Sequence, residues 1–207
     1  MSALLNLYHD IVSRLERADG LLPLLARILF AAILTGYFWA SGLTKLGSGP
    51  LGFFRPGTGA YAQIFPRAME AAGYDSSQLG LFHGLVVLAG TWAEFILPLL
   101  IVIGLFTRLA ALGMISFITL QSLTDLYGHG ALSDPLTLGA WFDKAPDGII
   151  LDQRALWVFL LLVLAIKGAG AVSLDRALLR NAPWARPVSR QPAPEDRQAR
   201  YSRSGTW

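Results

Sequence analysis

Residues 79–106 read LGLFHGLVVLAGTWAEFILPLLIVIGLF, and one residue among them, Glu94, carries a full charge. His83 stands near the start of the stretch. A hydrocarbon core of about 30 Å is crossed by about 20 apolar residues rising 1.5 Å each, so this segment is long enough to span a bilayer. One such helix could hide inside a soluble protein, but three further stretches share its character. Leu22–Leu46 holds only Arg27 and Lys45, Leu109–Leu126 only Asp125, and Ala155–Val172 only Lys167. Four such helices among 207 residues are too many for a soluble core. The pattern therefore predicts an all-α integral membrane protein, a four-helix transmembrane bundle with spans at about 22–46, 79–106, 108–127 and 154–172.

Composition supports this reading. The chain is 54% hydrophobic and 15% charged, against the roughly 25% charged residues of soluble domains. It has no cysteine, which excludes disulfide stapling, thiol redox chemistry and thiolate metal sites. Residues 1–20 are polar and mixed in charge, and the apolar stretch after them exceeds the h-region of a cleaved signal, so it is expected to remain as span 1.

Charge sets the expected orientation. Arg176, Arg180, Arg186, Arg190, Arg197, Arg200 and Arg203 follow span 4, whereas the connection between spans 3 and 4 carries Asp134, Asp143, Asp147 and Asp152 against Lys144 and Arg154. The positive-inside rule places the C-terminal tail in the cytoplasm. With four spans the N-terminus lies there too, in keeping with Arg14 and Arg17, and so does Arg108 in the tight turn between spans 2 and 3.

Three regions follow along the chain. In residues 1–20, Leu4, Leu7, Tyr8, Ile11, Val12 and Leu15 recur at helical spacing, the pattern of an amphipathic cytoplasmic helix able to lie on the membrane surface. Residues 21–175 are the membrane domain. The long outer connection, 47–79, is predicted to hold a short interfacial helix around Pro66, with Phe53, Phe54 and Tyr61 in an aromatic belt; Trp141 and Phe142 take the same place in the second connection. Residues 176–207 form an Arg- and Pro-rich cytoplasmic tail without an apolar face, suited to disorder or to a partner.

Charges within a bilayer cost about 2.5–3.5 kcal/mol each at its centre, so each needs a reason. Glu94 lies midway along span 2 and is the leading candidate for a proton-exchanging or ligand-binding carboxylate; the plainer reading is a buried ion pair that fixes helix packing. Arg27 is the expected partner, with Lys167 as the other cation able to reach it. Pro98, one turn later, should kink the helix and free a backbone carbonyl beside the carboxylate. A second set, Lys45, His83, Asp125 and His129, is expected near one depth at the outer end. There a Lys45–Asp125 pair is the plain reading and the mouth of a site for a small polar or quinone-like ligand the functional one, with Gln121 extending a polar stripe. No metal site is expected, since the histidines lack ligand spacing. Helix glycines, including Gly36, Gly42, Gly90, Gly104 and Gly113, are expected to allow close helix contact.

Several quoted segments resemble one family. Arg27 heads span 1, which ends in Phe38-Trp39-Ala40-Ser41-Gly42-Leu43-Thr44-Lys45. Glu94 follows in span 2, then Gly104-Leu105-Phe106-Thr107-Arg108-Leu109-Ala110-Ala111 across the inner turn, and Lys167-Gly168-Ala169-Gly170-Ala171-Val172-Ser173-Leu174-Asp175 after span 4. In this order, across residues 22–178, the chain resembles the DoxX-like membrane proteins. The resemblance implies a four-helix bundle of the bacterial inner membrane, with Arg27, Lys45, Glu94, Arg108 and Asp175 at the family's recurrent polar positions. Some relatives, the DoxD-like ones, look like membrane subunits of thiosulfate:quinone oxidoreductase, and others are linked to oxidative-stress complexes.

The functional expectation is an inner-membrane subunit of a quinone-linked redox or oxidative-stress system. Quinone is its cofactor or substrate, Glu94 exchanges protons, and Arg27 and Lys45 hold ligand oxygens; His83, Asp125 and Lys167 are further candidates, and Arg108, Asp175 and Pro98 serve structure. The alternative is a non-enzymatic anchor or assembly subunit, and a small transporter ranks below both. The expected partners are the lipid bilayer and either another protein or a second copy, with no nucleic acid.

Overall fold

A computed structural model describes residues 2–181; the tail beyond Asn181 lies outside the described residues. Residues 2–176 form one compact unit, and residues 177–181, the end of one helix, fall outside it. Every element longer than a turn among the described residues is helical.

Helix α1 (Ser2–Arg17) passes through a 3-10 turn into α2 (Leu22–Phe30), where Pro23 occupies the first turn and its missing N–H costs nothing. A wider π-helical turn, Ala31–Thr35, joins α2 to α3 (Gly36–Lys45), completing span 1. The first connection carries α4 (Thr58–Ile64) and α5 (Pro66–Ala71), so two short helices stand where one was expected, broken at Phe65 before Pro66. Span 2 is α6 (Leu81–Ile103), and span 3 is α7 (Thr107–Leu123) extended by a π-helical turn, Thr124–Gly128. A single-turn helix, α8 (Pro135–Leu138), precedes span 4, which is a π-helical turn, Ile149–Gln153, running into α9 (Arg154–Lys167). Helix α10 (Leu174–Asn181) follows.

All four spans are long and apolar enough to cross a membrane, and the protein is a multi-pass membrane protein. Span 4 is displaced from the predicted 154–172. It begins at the apolar Ile149-Ile150-Leu151 and stops at Lys167, because Gly168 and Gly170 take left-handed backbone angles, φ +83° and +79°. Each span packs beside the next, and span 1 closes the ring against span 4. The long connections 46–80 and 129–148 lie at one end, called the loop face; the turn between α6 and α7 lies at the other, the terminal face.

Lipid tails are as apolar as leucine, so packing rather than water exclusion holds such a bundle together. Phe30, Leu34, Phe38, Ile101, Met114, Ile118, Leu161 and Leu164 interlock in the centre, fully buried. Phe38 adds edge-on contacts to Phe117 and Trp157. Gly42 admits the Phe95 ring and Gly113 the Leu97 side chain, whereas Gly36, expected to do likewise, faces open space. Outward-pointing residues such as Ile33, Leu43, Leu85, Leu112, Leu156 and Phe159 stay exposed, as a lipid-facing surface requires.

Candidate ligand-binding site

Between spans 1, 2 and 3, on the loop-face side, lies a cavity of about 560 Å³. Its walls are mostly apolar: Val86, Ala89, Gly90, Ala93 and Leu97 repeat along one face of α6, and Gly113, Ser116, Phe117 and Leu120 along the facing side of α7. The small residues in both stripes keep the helices' side chains from filling the space.

Glu94 and Lys45 line the cavity and are joined directly. Lys45 stands in the last turn of α3, but its long side chain runs back toward the bundle interior. Its ammonium meets Glu94 Oε1 at 2.9 Å and Ser41 Oγ at 2.8 Å, with the Ser41 carbonyl at 3.4 Å. Ser41 in turn donates to Glu94 Oε1 at 2.9 Å. Lys45 and Glu94 are 5% and 1% exposed, so this is a charge pair out of water. Both contacts to the carboxylate, from Lys45 and from Ser41, fall on Oε1. Glu94 Oε2 is buried and accepts no hydrogen bond from any described residue. A buried acceptor left alone costs about 1–3 kcal/mol, which makes it the natural seat for a donor on a ligand.

The predicted pairings are therefore replaced. Glu94 pairs with Lys45, not with Arg27 or Lys167. Asp125 pairs with Arg154 at 2.7 Å, not with Lys45, and Arg154 also donates to Ser122 at 3.0 Å. Asp125 lines the cavity with Gln121, whose Oε1 is buried and likewise without a partner among the described residues, and with His129, whose Nε2 lies 3.1 Å from the Gln63 carbonyl. His83 is not among the lining residues. It packs edge-on against Phe65 and Phe82 on the flank of α6.

Residues 22–124, which hold spans 1 and 2, α7 and every cavity-lining residue but Asp125 and His129, match the DoxX family model. The chain belongs to the DoxX family. No curated protein and no solved structure matches the chain. Of the DoxX-like polar positions, Lys45 and Glu94 meet in the cavity, while Arg27 and Asp175 serve the terminal face. Arg27 is 8% exposed and spends its guanidinium on backbone carbonyls: Nε on Ile101 at 3.0 Å, Nη2 on Val102 at 2.6 Å, and Nη1 on Ala169 at 2.9 Å and on Val172. These carbonyls lie at the end of α6, where Ile101 also accepts from the Gly104 N–H at 3.1 Å, and in the segment after α9. Asp175 accepts from the backbone N–H groups of Phe106 and Thr107, at 2.7 and 3.0 Å, and so caps α7. Gly104, at φ +70°, makes the turn possible, since a Cβ there would fall 2.7 Å from Ser173 Cβ and 3.0 Å from the Arg27 guanidinium.

The remaining candidates also have structural settings. Lys167 binds Asp19 at 2.6 Å on the exposed terminal face, outside the cavity. Arg108 lies exposed against Gly168. Pro98 is buried within an α6 that stays helical through it.

Sequence reasoning misses Ser41, Gln63 and Arg154. Arg154 reads as a loop charge; its place three residues after an apolar triplet, Ile149-Ile150-Leu151, is the available signal that it belongs to the span. Ser41 sits four residues before Lys45, on one helix face with it, and that spacing is legible.

Proposed function

We propose that this DoxX-family protein is a membrane subunit of a quinone-linked redox or oxidative-stress system in a bacterial inner membrane, with both chain ends cytoplasmic. The ligand is a quinol, and Glu94 is the group that exchanges its proton. The observation that carries this reading is Glu94 Oε2: a buried carboxylate oxygen without a partner among the described residues, on a residue lining an apolar cavity. Such a cavity, within the roughly 300–1,000 Å³ of small-molecule sites, suits an aromatic ring, and the orphan acceptor suits a ring hydroxyl. Oxidation of a quinol releases two electrons and two protons. Here both electrons pass to a partner oxidoreductase, one proton passes from the ring hydroxyl at Oε2 to Glu94, and the other leaves from the opposite hydroxyl to water. Lys45 and Ser41 hold the carboxylate through its other oxygen and leave Oε2 free to receive the hydrogen bond. Arg27, fully engaged with carbonyls at the terminal face, has no part in binding.

A second reading has its own support. Lys45–Glu94 ties span 1 to span 2, and Arg154–Asp125 ties span 4 to span 3, each with a serine completing the contact. Such pairs suit an anchor or assembly subunit with no ligand. Protein purified from its native membrane in mild detergent separates the two. Extraction and chromatography should recover quinone in stoichiometric amount from the parent chain and none from folded Glu94→Gln. A quinone-free parent chain that stays folded only with a co-purifying partner supports the anchor instead.

A further inference from the structure

The cavity's sides are unequally closed. Toward the loop face it is roofed by Gln63, Ile64 and Phe65, which line it, and the exposed polar pair Gln63 and His129 leaves a narrow way to water there. That roof is held down at three points: Ile64 against Gly90, Pro66 against Gly128, and the Gln63 carbonyl to His129. Toward the terminal face the interlocked core around Ile101 and Met114 fills the bundle. Span 1 closes the side that carries Ser41 and Lys45.

The flank between α6 and α7 opens instead at small and apolar residues. Ala89 on α6, with Ser116 and Leu120 on α7, line the cavity and are at the same time exposed on the outside of the bundle. Two of the three are among the smallest side chains. Ser116 also turns its hydroxyl onto its own helix, 3.0 Å from the Leu112 carbonyl, and so makes no polar demand on what passes. Around this gap the exposed residues are apolar, Leu85 and Ile96 on α6, Leu112 and Leu123 on α7, except Thr119, whose hydroxyl turns onto the Ile115 carbonyl at 2.8 Å. Ala89 lies eight residues inside the start of α6, and Ser116 lies twelve residues before Gly128, about 12 and 18 Å along their helices. Both depths fall within a hydrocarbon layer of about 30 Å.

We infer that the cavity is filled sideways from the bilayer through the gap between α6 and α7, and that its ligand is a lipid-soluble amphiphile. The hydrogen-donating head rests at Glu94, and the apolar tail leaves between Ala89 and Ser116. The route stands on the lining alone; only the chemistry of the head rests on the quinol reading above.

The chain's lack of cysteine allows one experiment to test the two separately. Ala93→Cys places a single thiol in the cavity wall, and a nitroxide attached there, with the full chain in nanodiscs, reports which medium reaches it. Relaxation enhancement by oxygen, which concentrates in lipid, should exceed that by a water-soluble nickel chelate. Adding Ser116→Phe should bring the oxygen effect down to the level of the nickel chelate, since only the polar opening at Gln63 and His129 then remains. Dominance of the nickel chelate, or a label that neither reagent reaches, overturns the lateral route.

Binding is then measured by tryptophan quenching with a long-tailed isoprenoid quinol and with its tailless, water-soluble head. Ser116→Phe and, from the opposite wall, Ala89→Phe should each lose the long-tailed ligand and keep the tailless one. Retention of the long-tailed ligand in both variants overturns the route. A parent chain that binds neither ligand while oxygen reaches the label refutes the quinol reading and leaves the lateral route standing.

Discussion

The Lys45–Glu94 pair makes a quantitative demand on the fold. Both groups are almost fully buried, and their contact is a charge-assisted hydrogen bond of 2.9 Å. Removing one member of a buried pair strands the other and costs about 3–5 kcal/mol, whereas replacing both with uncharged groups of similar shape is often neutral or stabilising. Insertion energetics give a similar figure, about 2.5–3.5 kcal/mol for a lone charge at mid-membrane. Lys45→Met should therefore cost about 3–5 kcal/mol. Glu94→Gln belongs at the lower end of that range, because the ammonium keeps both Ser41 contacts. The double variant, in which Ser41 can still donate to the side-chain carbonyl of the introduced amide, should recover most of the loss. At about 2–4 °C per kcal/mol for a chain of this size, single-variant Tm values should fall by about 6–20 °C and the double variant should return to within a few degrees of the parent. The assay is thermal unfolding in one detergent, analysed as a double-mutant cycle. Single losses that simply add in the double variant would refute a direct buried pair.

Three further outcomes follow from other parts of the molecule. Gly104→Ala forces a Cβ into Ser173 at a positive φ and should lower Tm, while Gly36→Ala, mid-helix with open space, should raise stability by about 0.5–1 kcal/mol; both are read by thermal unfolding. Arg27→Lys should strand at least one of four carbonyls at about 1–3 kcal/mol, since an ammonium cannot reproduce the fork of a guanidinium, and hydrogen exchange should quicken at residues 168–175. In the second connection, the Thr137 hydroxyl on Asp134, at 2.5 Å, holds that carboxyl below the usual carboxylate range. Its contribution to local order is then fully present above about pH 3.9 and is lost as pH falls through the lowered value. Thr137→Val should move the Asp134 titration upward, measured by carboxyl NMR.

Much of the fold is legible in the sequence because the bilayer imposes length and polarity on whole segments. The four spans need only runs of apolar residues broken by Gly47-Ser48-Gly49-Pro50, Gly104 and Asp147-Gly148. Which charges meet is not legible. Glu94 is out of reach of Lys45 only if the loop-face ends of spans 1 and 2 are level. In the structure α6 continues past the end of α3, and Phe53 stacks on Trp92 eleven residues inside α6, so Glu94 lies near the height of Ser41. Lys45 then reaches it by pointing back along its own helix. Arg27 invites pairing with Glu94 because a buried cation suggests a carboxylate; backbone carbonyls at helix ends satisfy it equally, and no residue type announces them. The cavity is hidden for a related reason. Ala89, Gly90, Ala93, Gly113 and Ser116 read as small contact residues, and only the space that these small side chains leave unfilled makes them walls.

The Arg27 clamp also bears on how the protein is made. Arg27 enters the membrane with the first span, yet Ala169 and Val172, which supply two of its four acceptors, are 142 and 145 residues further on. At about 5–20 residues per second, roughly 7–28 s of translation separate the guanidinium from its last partners. Through that interval the nascent first span carries a cation whose coordination is incomplete, and only arrival of the segment after span 4 completes it. A chain interrupted before that point keeps the mark of being unfinished inside the bilayer, where membrane-embedded quality control can read it.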